Sequence, residues 1–345
     1  MTTHHHLDPD QPPPRDDAAG PRLAKRIASL PDAHSLGRDA ATPAEIPWPG
    51  WKAVLRRVAV EMMTDRVSLV AAGCAFYATL ALFPALTMLV LVYGLVFDPA
   101  TVEPQLVTLR DLLPPVVYSL IAQRIHMLVT QPSATLGLGL VFSTGVTLWS
   151  SATGTKGIIT ALNIAYEEVE RRSFLRYQAE VFTITLCAVV GAVIGLALLL
   201  GVPAALEFLG ASAHQRALVR LASFGLLVLF LMLGLSFLYR YGPCRAQPKW
   251  QWVTPGSLVA TVLWLAASAL FSFYVTRLAS YDATYGPLAA VAGVMMWFWV
   301  TIYVVLLGAE LNAELEMQTV LDSTDGPPRP IGQRGAYVAD HVAEE

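Results

Sequence analysis

Six long apolar stretches dominate the sequence and constrain its fold more than any other feature. They run over Val67–Phe97, Leu136–Ser151, Val181–Leu206, Leu218–Tyr239, Val253–Val275 and Leu288–Gly308. A helix needs about 20 apolar residues to cross roughly 30 Å of hydrocarbon, and most of these stretches reach that length. The second stretch is the shortest and the most polar. The sequence therefore predicts a protein that lies in a membrane.

The composition and the pattern within the stretches narrow the fold class. Hydrophobic residues make up 55% of the 345 residues and charged residues 14%, which is more apolar surface than one soluble core could bury. The stretches lack the alternation of apolar and polar residues that barrel strands show, and lipid excludes open sheets. We therefore expect an all-α polytopic membrane protein, a bundle of six transmembrane helices with amphipathic helices at the interface.

Two segments between the spans carry the amphipathic pattern. Gln105–Gln131 and Thr155–Tyr177 repeat apolar residues at helical spacing between polar and charged ones. This pattern is typical of helices at the membrane surface. The first segment is either a packed lid over the outer face or a gate over a cavity. In the second segment, Glu167 and Arg171 have the i,i+4 spacing of a helical ion pair.

The positive charges orient the chain. They concentrate before the first span, between spans two and three, and between spans four and five. These positions are Lys52, Arg56, Arg57, Arg66, Lys156, Arg171, Arg172, Arg176, Arg240, Arg245 and Lys249. By the positive-inside rule, the two connections and both termini face the cytoplasm.

We do not expect either end of the chain to fold. Residues 1–50 and 321–345 are rich in proline and in small polar or charged residues, and such segments bury too little apolar surface to become ordered. The sequence predicts two disordered cytoplasmic tails around a transmembrane domain at residues 51–320.

The residues that usually carry hydrolytic or redox chemistry are few and scattered. Cys74, Cys187 and Cys244 have no spacing typical of disulfide frameworks or zinc sites. The net charge of −3 and the lack of an extended basic and aromatic surface argue against a nucleic-acid partner. We expect no cofactor, no metal site and no catalytic residue, and membrane lipids as the obvious partners.

Polar residues within the spans are the first functional candidates. In the second span, Ser143, Thr147 and Ser151 repeat every four residues along one face. Such a face either packs against a neighbouring helix or lines a water-filled path, to which Tyr77 of the first span would add. Pro84 interrupts the hydrogen bonds of the first span and predicts a kink, which is either a hinge or a static bend.

Charged residues at the span ends are the second group of candidates. Glu310 follows an apolar run, and we expect it to point into the bundle toward a basic partner such as Arg66 or Lys156. A buried acid of this kind carries a proton, binds a cationic group, or forms a neutral structural pair. The complete set of candidates for a transport path or gate is Asp65, Tyr77, Pro84, Ser143, Thr147, Ser151, Asn163 and Glu310.

Five segments of the sequence carry a family resemblance. They are Asp65–Pro84 (DRVSLVAAGCAFYATLALFP), Leu148–Phe174, Pro255–Val275, Tyr281–Val300 and Leu306–Glu316 (LLGAELNAELE). In this order, over about residues 50–320, they resemble the YihY/BrkB family of bacterial inner-membrane proteins. The resemblance implies six transmembrane helices, cytoplasmic termini and an inner-membrane location. Ala81 stands where such proteins usually carry serine.

The family has been labelled a tRNA-processing ribonuclease, ribonuclease BN, and the sequence argues against that activity. A hydrolytic metallonuclease needs clustered His and Asp ligands to hold metal and activate water. Here His34, His126, His214 and His341 are scattered, without an HxHxDH-like cluster.

Three hypotheses remain. A transporter or flippase would move a small solute or an amphiphilic lipid, and would use a gradient because no nucleotide-binding loop is present. A scaffold for envelope assembly would use the polar face only for packing. A membrane enzyme would need a nucleophile–base pair or a metal cluster that the sequence does not show. The substrate is unknown, and homo-oligomerisation stays open.

Overall fold

The computed structural model describes residues 35–96, 133–196, 212–277 and 287–343, and within these ranges the regular structure is helical. A short 3-10 turn, Pro43–Glu45, precedes the first helix. The helices are α1 (Trp48–Thr64), α2 (Val67–Val96), α3 (Ser133–Ala165), α4 (Phe174–Leu196), α5 (Ala213–Tyr241), α6 (Trp250–Arg277), α7 (Pro287–Met317) and the single-turn α8 (Tyr337–Asp340). The described part of the chain therefore confirms the all-α class, and the segment Gln105–Gln131 lies outside it.

The described part of each of the six apolar stretches lies on one helix, from α2 to α7. In the described residues, three segments are long and apolar enough to cross a membrane: Leu221–Tyr241, Trp250–Tyr274 and Val291–Met317. The pair Trp48–Thr64 and Val67–Leu82 meets the same test together, bent by 61° at its break. The structure thus supports several membrane-crossing helices, and the count of six stays a prediction.

Helix α7 is the centre of the packing. It contacts α1, α2, α3, α6 and α8, while α2 packs along α3 and α5 packs against α6. From Gly308 to Glu316 every residue of α7 is buried, polar positions included. A helix that is buried on all sides must satisfy its polar groups within the protein, and this stretch accordingly contains most of the polar network described below.

Two glycines allow α6 and α7 to cross closely. A Cβ atom added to Gly256 would lie 2.0 Å from the carbonyl oxygen of Gly308, and one added to Gly308 would lie 2.5 Å from the hydroxyl of Tyr239. That hydroxyl donates a 2.7 Å hydrogen bond to the carbonyl of Val305. Small residues at such contacts let membrane helices approach until their backbones touch.

Helix α1 is the amphipathic helix of the described chain. Its buried residues Val54, Val58 and Met62 recur every four positions, so one face packs on the bundle while the other is exposed. The expected separate interfacial helix at Thr155–Tyr177 is wrong. No proline separates Ser151 from Ala165, and the helix tolerates Gly154 and Gly157, so α3 continues to Ala165 before the chain turns.

The expectation of disordered tails fails where the ends of the chain are described. Residues 1–34 and 344–345 lie outside the described residues, but residues 35–50 and 321–343 pack on the bundle. The side chain of Arg334 donates to the carbonyls of Val320, Leu321, Arg329 and Ala339. Buried Val338 and these bonds order a segment whose composition predicted disorder.

The two ends are also bonded to each other. Arg38 donates a 2.8 Å hydrogen bond from its guanidinium to the carbonyl of Ala343, and its own carbonyl accepts from the amide of Val320 at 2.8 Å. The amide of Ala343 donates to Met317 at 3.0 Å. The beginning and end of the folded chain therefore share one side of the bundle.

Candidate functional site

Three carboxylates meet where α1, α2 and the end of α3 come together. Glu61 lies on the last turn of α1, Asp65 in the turn before α2, and Glu167 just after α3. One oxygen of each lies within 4.8 Å of the others. Glu61 and Asp65 are half-buried and Glu167 is exposed, so the group, which we call the acidic cluster, is open to solvent.

Backbone turns in the left-handed region place these carboxylates. Arg66 has φ 50° and Glu167 has φ 54°. A non-glycine residue in this region costs about 1–2 kcal/mol, and such residues concentrate at functional sites. The turn at Arg66 separates α1 from α2, and the turn at Glu167 ends α3. The i,i+4 helical pairing of Glu167 with Arg171 is therefore wrong.

Glu310 of α7 lies beside the acidic cluster, deep in the bundle. It is 2% exposed, its carboxyl is within hydrogen-bonding reach of Asp65, and its Oε1 atom has no hydrogen-bond partner among the described residues. The carboxyls that act on it electrostatically are those of Asp65, Glu314 and Glu61. The expected basic partner is thus replaced by acids, because the side chain of Arg66 turns outward and is exposed.

The acidic surroundings perturb Asp65, which lies in the turn between α1 and α2. Burial, followed by the negative charges of Glu167 and Glu61, raises the pKa of Asp65 to about 6. All three effects disfavour the charged carboxylate. Asp65 therefore exchanges a proton much closer to neutral pH than an ordinary aspartate.

Arg57 of α1 lies on the same side of the bundle as the acidic cluster, but it bonds residues of α7 and its C-terminal end. The Nε of Arg57 lies 2.5 Å from an oxygen of Glu314, and its Nη2 donates to Gln318 at 2.7 Å. This contact joins α1 to α7 and compensates Glu314. It leaves the charges of the acidic cluster and of Glu310 without a bonded cation among the described residues.

The other polar groups of α7 are structurally paired. Glu316 forms a 2.6 Å ion pair with Arg245, both side chains being fully buried, and accepts from Ser323 at 2.7 Å. Asn312 accepts from the amide of Gly256 at 2.8 Å and donates to the carbonyl of Val253 at 3.2 Å. These contacts fix α6 and the connection after α5 against α7.

Asn163 has a similar linking position at the end of α3. Its side-chain oxygen accepts from the amide of Cys244 at 2.7 Å, and its nitrogen donates to Glu170 at 3.1 Å. Arg172 bonds Glu170, lowers the pKa of that carboxyl to about 2, and also pairs with Glu180. Asn163 thus connects two loops.

The structure brings together only part of the predicted path. Asp65 and Glu310 meet, and Tyr77 is 43% exposed on α2. Pro84, Ser143, Thr147 and Ser151 lie on α2 and α3, but their side chains are outside the described part. Thr155, the next residue at the same spacing, has its hydroxyl 2.7 Å from that of Thr185 on α4, so the hydroxyl face ends in a helix contact.

Sequence reasoning missed the full acidic cluster. Glu61 was recognised as a charged residue near a span, but its meeting with Glu167 depends on two turns that are distant in the chain. No spacing rule connects them. The available signal was the excess of acids over bases at the ends of neighbouring helices.

The helices and their buried charges together define a multi-pass helical membrane protein. A family model described as Virulence factor BrkB matches residues 58–331. The chain belongs to this BrkB family, as the five segments indicated.

Similar proteins agree with this assignment. YfkH of Bacillus subtilis (strain 168), whose name provisionally calls it ribonuclease-like, is 30% identical over 256 residues, covering 72% of this chain and 90% of its own. A UPF0761 membrane protein of Tolumonas auensis is 34% identical over 82 residues, covering 24% of this chain and 27% of its own. One from Vibrio cholerae is 36% identical over 77 residues, covering 22% and 26%. No solved structure matches.

Proposed function

We propose that this BrkB-family protein is a transporter or flippase that moves a small solute or an amphiphilic lipid across the bacterial inner membrane. The observation that carries the proposal is Glu310. It is a buried carboxylate on an apolar, membrane-crossing helix, with one oxygen unpartnered and acids as its charged neighbours. Charged groups in membrane helices are costly, and those retained usually mark ion or substrate paths.

The energy source in this proposal is an ion gradient. The chain has no phosphate-binding glycine loop, so ATP would not drive the movement. Asp65 and Glu310 supply the coupling instead, because Asp65 is a half-buried member of the solvent-facing acidic cluster and Glu310 is buried in the interior. In the proposed topology, six spans place both termini in the cytoplasm, and no catalytic step is involved.

Cysteine labelling tests the path. In a variant without Cys74, Cys187 and Cys244, single cysteines are placed at positions 143, 147 and 151, with 144 and 148 as controls on other faces of α3. A membrane-impermeant thiol reagent is then applied to oriented vesicles. We expect labelling at 143, 147 and 151 and protection at the controls, because a water-filled path wets one helix face. Protection at all five positions would overturn the path.

Lipid movement is tested in proteoliposomes. Fluorescent phosphatidylglycerol in the inner leaflet becomes accessible to dithionite only when it crosses the bilayer. We expect the protected fraction to fall with the wild-type protein under an imposed pH gradient, and to fall at least tenfold more slowly with Glu310→Gln. Rates equal to those of empty vesicles would exclude the lipid form of the proposal.

A non-catalytic scaffold for envelope assembly is the second candidate, and the Thr155–Thr185 contact favours it. If the whole hydroxyl face of α3 packs as Thr155 does, its polarity serves helix association alone. Complete protection of positions 143, 147 and 151 in the labelling experiment is the result that this candidate requires.

A further inference from the structure

We propose that Glu61, Asp65 and Glu167, with the buried Glu310 beside Asp65, form a binding site for a hard divalent cation such as Ca²⁺ or Mg²⁺. The ligands are carboxylate oxygens contributed by α1, the α1–α2 turn, the turn after α3, and α7. Hard cations prefer such oxygens, whereas zinc and copper sites usually include nitrogen or sulfur. These four side chains define the proposed site, which does not depend on whether the protein transports a solute.

The spacing of the acidic cluster allows its three carboxylates to share one ion. One oxygen each of Glu61, Asp65 and Glu167 lies within 4.8 Å of the other two. Hard divalent cations hold oxygen ligands at about 2.0–2.6 Å, so ligands of a single ion lie within about this distance of one another.

Glu310 points to a ligand independently of the acidic cluster. Its side chain is 2% exposed, and its Oε1 atom has no hydrogen-bond partner among the described residues. Buried polar atoms are nearly always bonded, and the acids that act on this carboxyl, Asp65, Glu314 and Glu61, supply no positive charge, so a bound cation is the partner that we infer for it. A cation coordinated by the acidic cluster would supply it.

The local charge balance also favours a cation. Across the described ranges, no lysine or arginine forms an ion pair with any of the four carboxyls, and Arg57 is engaged by Glu314. Like charges this close repel strongly in a partly buried site. A divalent cation would displace the proton shared by Asp65 and Glu310 and replace the repulsion between carboxylates with coordination.

The proposed site is open to solvent on one side and closed by a buried side chain on the other. Glu167 is exposed, Glu61 and Asp65 are half-buried, and Glu310 is buried beneath them. A cation would therefore enter from solvent past Glu167 and settle against Glu310. Bound there, it would connect the α1–α2 turn and the end of α3 to α7, the central helix of the bundle.

Thermal unfolding of the full-length protein in detergent tests this site. The protein is first treated with EDTA, and the unfolding midpoint is then measured with Ca²⁺, Mg²⁺ or Mn²⁺ added up to millimolar concentration. We expect a saturable rise of the midpoint, because a cation that binds only the folded state stabilises it. Calorimetric titration with the cation that shifts the midpoint most should give one site per chain.

Three variants and a control make the test specific. Glu61→Gln, Asp65→Asn and the exposed Glu167→Gln should each weaken cation binding about tenfold or more. Asp65→Asn should also raise the midpoint in EDTA, because it removes a repelling charge. Glu45→Gln removes an exposed carboxylate of the 3-10 turn before α1 and should leave binding unchanged.

Two results would overturn the proposal: no divalent cation shifts the midpoint of the wild-type protein, or the three variants respond as Glu45→Gln does. Because Glu167→Gln changes an exposed side chain, its loss of binding would not reflect misfolding. Cation binding without lipid movement in proteoliposomes would leave the site standing while the transport proposal fails.

Discussion

At the scale of single residues, α7 contains two kinds of buried charge. Glu316 forms an ion pair with Arg245, whose guanidinium also lies 4.9 Å from the ring centre of Tyr166, although Oε1 of Glu316 has no hydrogen-bond partner among the described residues. The charged groups that act on Glu310 are those of Asp65, Glu314 and Glu61. The first arrangement stabilises the fold and the second is poised to bind, although both residues are glutamates two turns apart on one helix.

The buried pair predicts a large stability change. Arg245→Met should cost about 3–5 kcal/mol, because it leaves Glu316 charged and buried without a partner. The measurement is the thermal unfolding midpoint in detergent. The double variant Arg245→Met with Glu316→Leu should recover most of the loss, since it removes both charges. A double variant as unstable as the single one would contradict this explanation.

At the scale of helices, the sequence predicted what is local and missed what is not. Apolar length is a property of each segment, so a helix lies over the described part of each predicted stretch, while the count of six membrane crossings stays a prediction. A separate helix was wrongly predicted from residue 155. The amphipathic pattern at residues 155–165 shows which face of a helix is exposed, but it does not show where one helix ends and the next begins. The acidic cluster depends on left-handed backbone conformations at Arg66 and Glu167. Arginine and glutamate seldom adopt this conformation, so the sequence gives no signal for these turns.

Because α6 and α7 cross so closely at Gly256, we expect that no larger residue fits at this position. A methyl group there would overlap the backbone of Gly308, so Gly256→Ala should force the helices apart and cost about 3 kcal/mol or more. Size-exclusion chromatography and the unfolding midpoint would show it.

Gly225→Ala on α5 is the matched control. A Cβ atom there meets no atom within 4 Å, and alanine favours the helix, so the midpoint should stay the same or rise. Equal behaviour of the two variants would mean that α6 and α7 cross less closely than described.

At the scale of the whole molecule, the C-terminal segment is part of the folded domain. Composition alone predicted disorder there, because proline and charge dominate residues 321–345. The order comes from specific bonds, above all the four carbonyls that Arg334 holds, and such bonds leave no compositional signature.

Arg334→Ala should therefore lower the unfolding midpoint and cost about 1–3 kcal/mol of stability, since four backbone carbonyls, that of Ala339 buried and the others partly buried, lose a charged donor. Arg329→Ala, at an exposed side chain five residues earlier, should change stability by less than about 0.5 kcal/mol. Limited proteolysis should cut the Arg334→Ala variant first within residues 321–343. Equal stability of the two variants would show that this segment contributes little to the domain.

Reporter fusions test the proposed topology of the entire chain. Green fluorescent protein at the C-terminus should fluoresce and alkaline phosphatase there should be inactive, because the positive-inside rule places that end in the cytoplasm. Alkaline phosphatase inserted between residues 97 and 132 should be active. An active phosphatase at the C-terminus would show that the chain has the opposite orientation to the one predicted.

The hydrogen bonds between Arg38 and the last residues of the domain restrict how many times the chain can cross the membrane. A hydrogen bond cannot reach across a bilayer, so Arg38, Val320 and Ala343 must lie in the same aqueous compartment. A chain that leaves a compartment and returns to it crosses the membrane an even number of times. Any topology with three or five crossings between residue 38 and residue 320 is therefore incompatible with these contacts.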